Sequence, residues 1–260
     1  MKNERNIDLA TQFIKDYISK AGAKGVVLGI SGGLDSAVTA YLACRALNPD
    51  NVFGLILPYK TTDPQSLKDA SLIVDELGIR HEQIDITPQI DAYYQKWDQN
   101  ADLLRIGNKA ARERMTILYD WAQKMDYLVL GTSNKTEWVL GYFTMWGDMA
   151  AALEPLGDLY KTQVRELAEG LGIPGRIIKK APTADLWQGQ TDEEEIGISY
   201  VEIDRILYLY IEKKQTLAQI IRAGFSEKKA EKVVNMVRKT DFKRRLPTIL
   251  QLQYCQEPLV

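Results

Sequence analysis

Gly29-Ile30-Ser31-Gly32-Gly33-Leu34-Asp35-Ser36 is the stretch on which the reading of this chain turns. Before it, Gly25 to Ile30 sets Val26, Val27, Leu28 and Ile30 between glycines, the pattern of a short buried strand. After it, Ala37 to Leu47 places Val38, Tyr41, Leu42 and Ala46 on one side of a helix. A Ser-Gly-Gly turn between strand and helix lets the backbone come close to an anion. Its N–H groups join the helix N-terminus in supplying partial positive charge. Asp35 falls in the first helical turn, where a carboxylate is electrostatically favoured and can hold a divalent cation beside phosphates. No lysine follows the glycines, so this is not a loop of the Gly-Lys-Ser/Thr kind. A plain glycine turn is the alternative reading, and two serines with an aspartate at this spacing weigh against it.

Length and composition bound the rest. The chain has 260 residues, 45% of them hydrophobic, enough for one full core with a helical appendage. Its 33 basic and 35 acidic residues nearly cancel, and the pI is about 5.7, so nothing points to bulk nucleic-acid binding. No run of 18 apolar residues and no signal-like N-terminus is present, so a cytoplasmic protein with no membrane partner is expected. Two cysteines, Cys44 and Cys255, make neither a disulfide framework nor a metal set, and Cys44 reads as helical core. A Ser-His-Asp hydrolase would have to depend on the single histidine, His81, which reads as a surface or packing residue.

Strand and helix alternate along the first two thirds. Ile7 to Ala21 is an amphipathic helix with Ile7, Ala10, Ile14, Ile18 and Ala21 on one stripe and Gly22 as its stop. Val52 to Leu57 is a second buried strand. Asp63-Pro64 caps and opens a helix running to Gly78. Ile79 to Ile86 is a third, weaker strand. Pro88 to Gln99 and Asn108 to Lys124 are helical, and Tyr127 to Leu130 is a fourth strand. This alternation predicts an α/β fold, a doubly wound parallel sheet with ligands beyond the carboxyl ends of its strands. After Gly172-Ile173-Pro174 the pattern is helical. Thr191, Ser199 and Thr216 each open a capping box and Ser226 stands where it would cap the last helix. Trp187 to Gln190 is a candidate mobile loop, and the acidic run Asp192 to Glu195 reads as a solvated first turn. One domain over 1–260 is expected, with an α/β nucleotide-binding core at about 22–172 and a loop with C-terminal helices at about 173–260.

A second constellation lies further on. Gly131-Thr132-Ser133-Asn134-Lys135-Thr136-Glu137 leads to Gly147-Asp148, then to Lys161-Thr162-Gln163-Val164. Lys161 falls in the first turn of a helix, where the dipole disfavours a cation unless a polyanion shares the site. Glu137 opens another helix, either as a capping residue or as a second carboxylate on a metal held by Asp35. These runs, with Gly107 to Met115 and Pro182-Thr183-Ala184-Asp185-Leu186, resemble the motifs of NAD synthetases in order and approximate spacing, over almost the whole chain. The first loop by itself resembles the pyrophosphate-binding loop of ATP pyrophosphatases.

The resemblance implies a sheet of the ATP pyrophosphatase (adenine nucleotide α-hydrolase-like) type with a helical C-terminal part. It also implies a reaction: ATP adenylates the nicotinate carboxylate of deamido-NAD, pyrophosphate leaves, and ammonia attacks the acyl-adenylate to give NAD and AMP. Carried over position by position, Gly29, Ile30, Ser31, Gly32, Gly33, Leu34, Ser36, Thr132, Lys161 and Thr183 are implied as ATP contacts. Arg112, Asp148, Phe242 and Lys243 are implied as deamido-NAD contacts. Asp35 and Glu137 are implied as Mg²⁺ ligands, with Asp35 and Lys161 carrying the chemistry. A homodimer and a cytoplasmic ligase are implied too. The chain departs from the usual ammonia-dependent pattern at Met145, Ala152 and Phe242, where lysine, aspartate and histidine are common. Gly147 to Ala150 and Phe242 to Arg245 look closer to the synthetase part of glutamine-dependent enzymes, whose additional glutaminase domain has no counterpart in these 260 residues. The alternatives are an amidotransferase of the same loop type acting on another carboxylate, and a non-catalytic adenine-nucleotide-binding module.

Overall fold

The computed structural model describes residues 2–183, 189 and 191–250. Four strands form one parallel sheet in the order β3-β2-β1-β4: β1 is Val26–Gly29, β2 Val52–Ile56, β3 Arg80–Gln83 and β4 Leu128–Val129. The helices between them are α1 (Lys2–Ala21), α2 (Leu34–Leu47), α3 (Pro64–Leu77), α4 (Thr87–Trp97) and α5 (Leu103–Met125). Period-two alternation sorts the strand side chains to two cores. Val26, Leu28, Val52 and Ile56 pack with Ile14, Val38, Leu42 and Leu167, whereas Val27, Phe53 and Leu55 pack with Ile90, Ala110 and Ala122. A sheet covered on both faces is why β1 and β2 read as unbroken apolar runs.

Local signals place most boundaries. The Asp63 carboxylate accepts the Gln65 N–H at 2.8 Å, Pro64 opens α3, and Gly78 ends it with φ +63°. Helix α5 begins at Leu103, five residues before the expected Asn108, because Asp102 caps it by accepting the Arg105 N–H at 2.8 Å. The ladder of β3 is shorter than the expected Ile79 to Ile86. Beyond it, Ile84 and Ile86 N–H still donate to Ile56 and Pro58 at 2.9 Å, so the chain runs on beside β2 without regular pairing. All four β3 side chains are exposed and polar, as suits an edge strand, and His81 is among them. Ala21 closes the expected stripe of α1 in sequence but is exposed, since α1 has by then passed the end of the core.

Past β4 come α6 (Lys135–Leu140), α7 (Lys161–Gly170), α8 (Gly175–Ile178), α9 (Asp192–Ile196), α10 (Tyr200–Leu207), α11 (Leu217–Arg222) and α12 (Glu227–Lys239). Thr191, Ser199 and Thr216 cap α9, α10 and α11 by accepting the N–H of Glu194, Glu202 and Gln219. Of the three expected capping boxes only that at Thr216 is complete, since Glu194 and Glu202 turn to the capping hydroxyls instead of the backbone. Ser226 occupies the N-cap position of α12 but makes no side-chain cap, a correction to the sequence reading. The acidic run is not wholly solvated either. Asp192 is buried and accepts the Tyr200 hydroxyl at 2.9 Å, and Glu193 accepts the Tyr200 N–H at 2.7 Å. These helices share a third core, with Leu140 and Tyr160 packed among Ile203, Leu207, Ile220 and Val233. Of the expected mobile loop only Gly189 is described. Trp187, Ala184 to Leu186 and Cys255 lie outside the described residues.

Candidate active site

The glycine turn follows β1 and sits on α3. Gly32 has φ +74°, and a Cβ there would lie 2.1 Å from the Ser66 carbonyl oxygen and 2.9 Å from the Ala70 nitrogen. Only glycine permits both the backbone conformation and this approach. The two serines hold the turn together. Their hydroxyls are 3.0 Å apart, Ser31 Oγ accepts the Gly33 N–H at 3.2 Å, and Ser36 Oγ donates to the Gly33 carbonyl at 3.0 Å. Gly33 is the N-cap of α2 and brings no side-chain cap. The amides of that helix's first turn are thereby left for an anion.

Next to the turn, three charged side chains from three elements converge. Lys161 at the start of α7 donates to Asp35 Oδ2 at 2.5 Å and to Glu137 Oε1 at 3.0 Å, with its own side chain only 7% exposed. Asp35 Oδ1 takes a further bond from Asn134 Nδ2 at 2.9 Å. The Tyr200 ring lies 5.3 Å from the ammonium and closes another side. Burial alone would push the Lys161 ammonium down, but the two carboxylates outweigh it and hold the pKa above its ordinary value. Glu137 is raised well above the usual carboxylate range, by burial first and by Asp35 as a like charge, against the pull of Lys161. Glu137 fills the capping role and pairs with Lys161 as well. Asn134 accepts its N–H at 3.0 Å while its carboxylate returns to the Asn134 N–H at 3.3 Å.

The C-terminal helices supply the support for Lys161. Asp204 of α10 accepts Thr136 Oγ1–H at 2.6 Å and the Thr162 N–H at 2.9 Å, and Thr136 Oγ1 accepts the Lys161 N–H at 2.9 Å. Asp204 therefore stands at the N-terminus of α7, where the dipole favours an anion, and offsets the cation placed there. Behind the turn, Lys180 donates to the Gly32 carbonyl at 3.2 Å, Ser66 Oγ at 3.0 Å and Asp69 Oδ2 at 3.2 Å. Arg176 also reaches Asp69, at 2.9 Å. Sequence reasoning missed Asp204, Asp69 and Lys180. Each acts across more than 40 residues of chain on another element, and no local spacing announces that.

A second group lies on the α5 side. Arg112 Nε donates to the Met145 carbonyl at 3.3 Å, and Asp148 accepts the Thr144 N–H at 2.7 Å. Thr144 Oγ1 in turn donates to Asn108 Oδ1 at 2.7 Å. Lys243 donates to the Gly141 and Phe143 carbonyls, both at 2.8 Å. Arg112 and Lys243 thus reach the loop Gly141 to Asp148, in which Asp148 bonds to Thr144. Phe242 differs, with its side chain directed to solvent and 61% exposed. Thr132 lies in the loop after β4, and Thr183 follows α8 in the chain.

Sequence comparison matches the NAD synthase family over residues 6–247. The chain belongs to that family. The NH(3)-dependent NAD(+) synthetase of Trichlorobacter lovleyi is 48% identical over 240 residues, 92% of this chain and 88% of that one. Among solved structures, an NMN synthetase from Francisella tularensis superposes with TM-score 0.87 at 36% identity, covering 97% of this chain and all of that one. The NH3-dependent NAD synthetase from Campylobacter jejuni subsp. jejuni superposes with TM-score 0.83 at 34% identity, covering 96% and 100%. The doubly wound parallel sheet is the NAD synthase fold.

Proposed function

We propose that this chain adenylates the nicotinate carboxylate of deamido-NAD with ATP and amidates it with ammonia, giving NAD, AMP and pyrophosphate. The observation that carries this reading is the Asp35–Lys161–Glu137 cluster joined to the first turn of a helix that follows a glycine turn and has no side-chain cap. A carboxylate is a poor electrophile because its leaving group is oxide. Adenylation supplies a better leaving group, and cationic groups neutralise the departing pyrophosphate. The first-turn amides of α2 and the turn Ser31 to Gly33 cradle the phosphates, and Lys161 turns its ammonium to the leaving oxygens.

The residues present also fit Mg²⁺. Asp35 and Glu137 already place carboxylate oxygens on one cationic centre, and Mg²⁺ takes one or two carboxylates together with substrate phosphates. Among the described residues no group of three or more acidic, histidine or cysteine side chains is placed to hold a metal by itself, which agrees with a site that phosphates complete. Asp35 and Glu137 would hold the ion, whose chemistry is to neutralise phosphate charge during the displacement.

Arg112, Asp148 and Lys243 form the acceptor side. With Met145 and Ala152 in place of a lysine and an aspartate, the pocket loses one charge of each sign. We read the gap as filled by Arg112, Lys243 and the exposed aromatic faces of Trp146 and Phe242. On that reading, Met145→Lys with Ala152→Asp leaves kcat/KM for deamido-NAD no better, and a clear gain would show a degraded pocket. The same departures, with the name of the Francisella tularensis neighbour, favour one second reading: the acceptor is nicotinate mononucleotide. A coupled assay for AMP and pyrophosphate with both acceptors separates the two. AMP formation with neither would sink both.

Free ammonia is expected to support turnover and glutamine alone is not. Cys44 is half-buried in α2 and burial pushes its thiol up to about 11, so it has little thiolate with which to attack glutamine. Glutamine-driven product formation by the purified chain would refute this. A homodimer accords with the apolar stripe Leu9, Phe13 and Tyr17 on α1, which is 59%, 44% and 39% exposed. Light scattering of the wild type against Phe13→Glu tests it: a monomeric wild type would overturn the dimer. Among the described residues no helix is long and apolar enough to cross a membrane, and we place this chain, as one synthetase-type domain, in the cytoplasm.

A further inference from the structure

Glu154 is a largely buried acid that the proposed reaction leaves without a role. It belongs to a segment that extends the sheet past β4. The Ala152 N–H donates to the Val129 carbonyl at 2.9 Å, the Gly131 N–H donates to the Leu153 carbonyl at 3.0 Å, and Leu130 and Leu153 bridge in parallel. From the end of that segment the Glu154 side chain reaches across to the loop after β4, where Oε2 accepts the Ser133 N–H at 3.0 Å. Its other oxygen is enclosed and has no hydrogen-bond partner among the described residues. The loop is shaped to receive it: a Cβ on Gly131 would lie 2.1 Å from Oε1 and 2.2 Å from the carboxyl carbon. Glycine at 131 and glutamate at 154 are therefore a matched pair.

We propose that Glu154 is a positioning residue for nucleotide binding, which fixes the loop Gly131 to Asn134 through the Ser133 amide and so sets Thr132 and Asn134 against the phosphate-binding turn. The inference rests on the reading of this site as an ATP site. Thr132 lies between the two points at which Glu154 meets the loop, Gly131 and Ser133. Asn134, the next residue, holds Asp35 by its 2.9 Å bond and caps α6, the helix that carries Glu137. A shift of the loop would move a nucleotide contact and both carboxylates of the site together. An apolar side chain at 154 could fill the space but would leave the Ser133 N–H without its acceptor, which a buried amide tolerates poorly. Burial also pushes the Glu154 carboxyl up to about 8, with Glu137 and Asp148 adding to it. At neutral pH the side chain is then mostly a neutral acid, of which glutamine is a close copy.

Three variants test this, read by calorimetric titration with ATP and Mg²⁺ in the absence of acceptor, by KM for ATP against kcat, and by thermal melting. Glu154→Leu keeps the volume and loses the acceptor oxygen. It should raise the Kd and KM for ATP about ten-fold while the melting temperature stays within a few degrees of wild type. Glu154→Gln retains an oxygen for the Ser133 N–H and should remain within about two-fold of wild type. Gly131→Ala displaces the carboxyl from the other side and should reproduce the ATP defect with Glu154 still present, so it decides the matter together with Glu154→Gln if the leucine variant fails to fold. Wild-type ATP affinity in Glu154→Leu or Gly131→Ala would overturn the proposal, as would a glutamine variant as impaired as the leucine one. A wild-type chain that does not bind ATP would sink the nucleotide reading and this inference with it. ATP binding that is normal in the wild type and unimpaired in the variants would sink this inference alone.

Discussion

Lys161→Met is expected to abolish useful turnover and to destabilise the protein in a pH-dependent, Mg²⁺-sensitive way. The ammonium stands between Asp35 and Glu137, and those carboxylates are only 16% and 19% exposed. Removing one partner from such a buried ionic cluster costs about 3–5 kcal/mol, because the remaining charges are left uncompensated. The loss of a preorganised cation facing the leaving group lowers kcat by about 10²–10³-fold. The direction with pH follows from Glu137. Its folded-state pKa already lies above its ordinary value, so the native state binds a proton that the unfolded chain has released. Stability then falls as pH rises from about the ordinary carboxylate value of 4.5 through the raised value. Without Lys161, the main group that lowers it is gone, so the fall becomes steeper and extends further. Melting curves at pH 5 and pH 8, with and without Mg²⁺, check this. The variant should be closest to wild type at pH 5, and Mg²⁺ should recover part of the loss at pH 8. Identical melting of the two proteins at pH 8 would show that the cluster does not carry the charge balance assigned to it.

Asp35→Asn is expected to remove pyrophosphate release while leaving the fold in place. The geometry gives a reason beyond the weakness of an amide as a ligand for Mg²⁺. Both neighbours of Asp35 are donors, Asn134 Nδ2 at Oδ1 and Lys161 Nζ at Oδ2. An asparagine has one acceptor oxygen, so in either orientation its NH₂ group faces a donor. One of the two bonds is lost whichever way the amide sits, at about 1–3 kcal/mol, and the turn loses its fixed distance to Lys161. A decrease of about 10²–10³-fold in AMP and pyrophosphate formation is expected. The far-ultraviolet circular dichroism should stay unchanged, since α2 keeps its buried face of Val38, Leu42 and Ala43. Turnover within a few-fold of wild type would remove Asp35 from the reacting centre.

Much of the site was legible in the sequence, and the reasons differ from residue to residue. The strand, turn and helix around Gly32 were readable because each depends on neighbours within a few positions: apolar alternation, a glycine φ, a helix start. Asp63-Pro64 to Gly78 was readable for the same reason, and so were the caps at Thr191, Ser199 and Thr216. The expected start of α5 at Asn108 is too late, because the Asp102 cap opens the helix at Leu103. Ser226 sits in the right place and makes no cap, since a side-chain rotamer is not written in spacing.

The anomaly of Lys161 was visible from sequence: a cation in the first turn of a helix. Its resolution was not. Asp35 is separated from it by 126 residues and Glu137 by 24, and only the parallel order β3-β2-β1-β4 puts β1 and β4 side by side so that Asp35 and Glu137, in the helices that follow them, meet Lys161. Asp204, Lys180 and Glu154 are decided entirely by tertiary structure. Their partners, side chains as well as backbone groups, lie on elements distant in the chain, where no local spacing can show them. The sequence by itself determined which segments could bind phosphate, which helices could cap and which charges were out of place. Only the tertiary structure decided which charge answers which, because Coulombic and hydrogen-bond energies depend on distances of a few ångströms. Packing of the two sheet faces sets those distances.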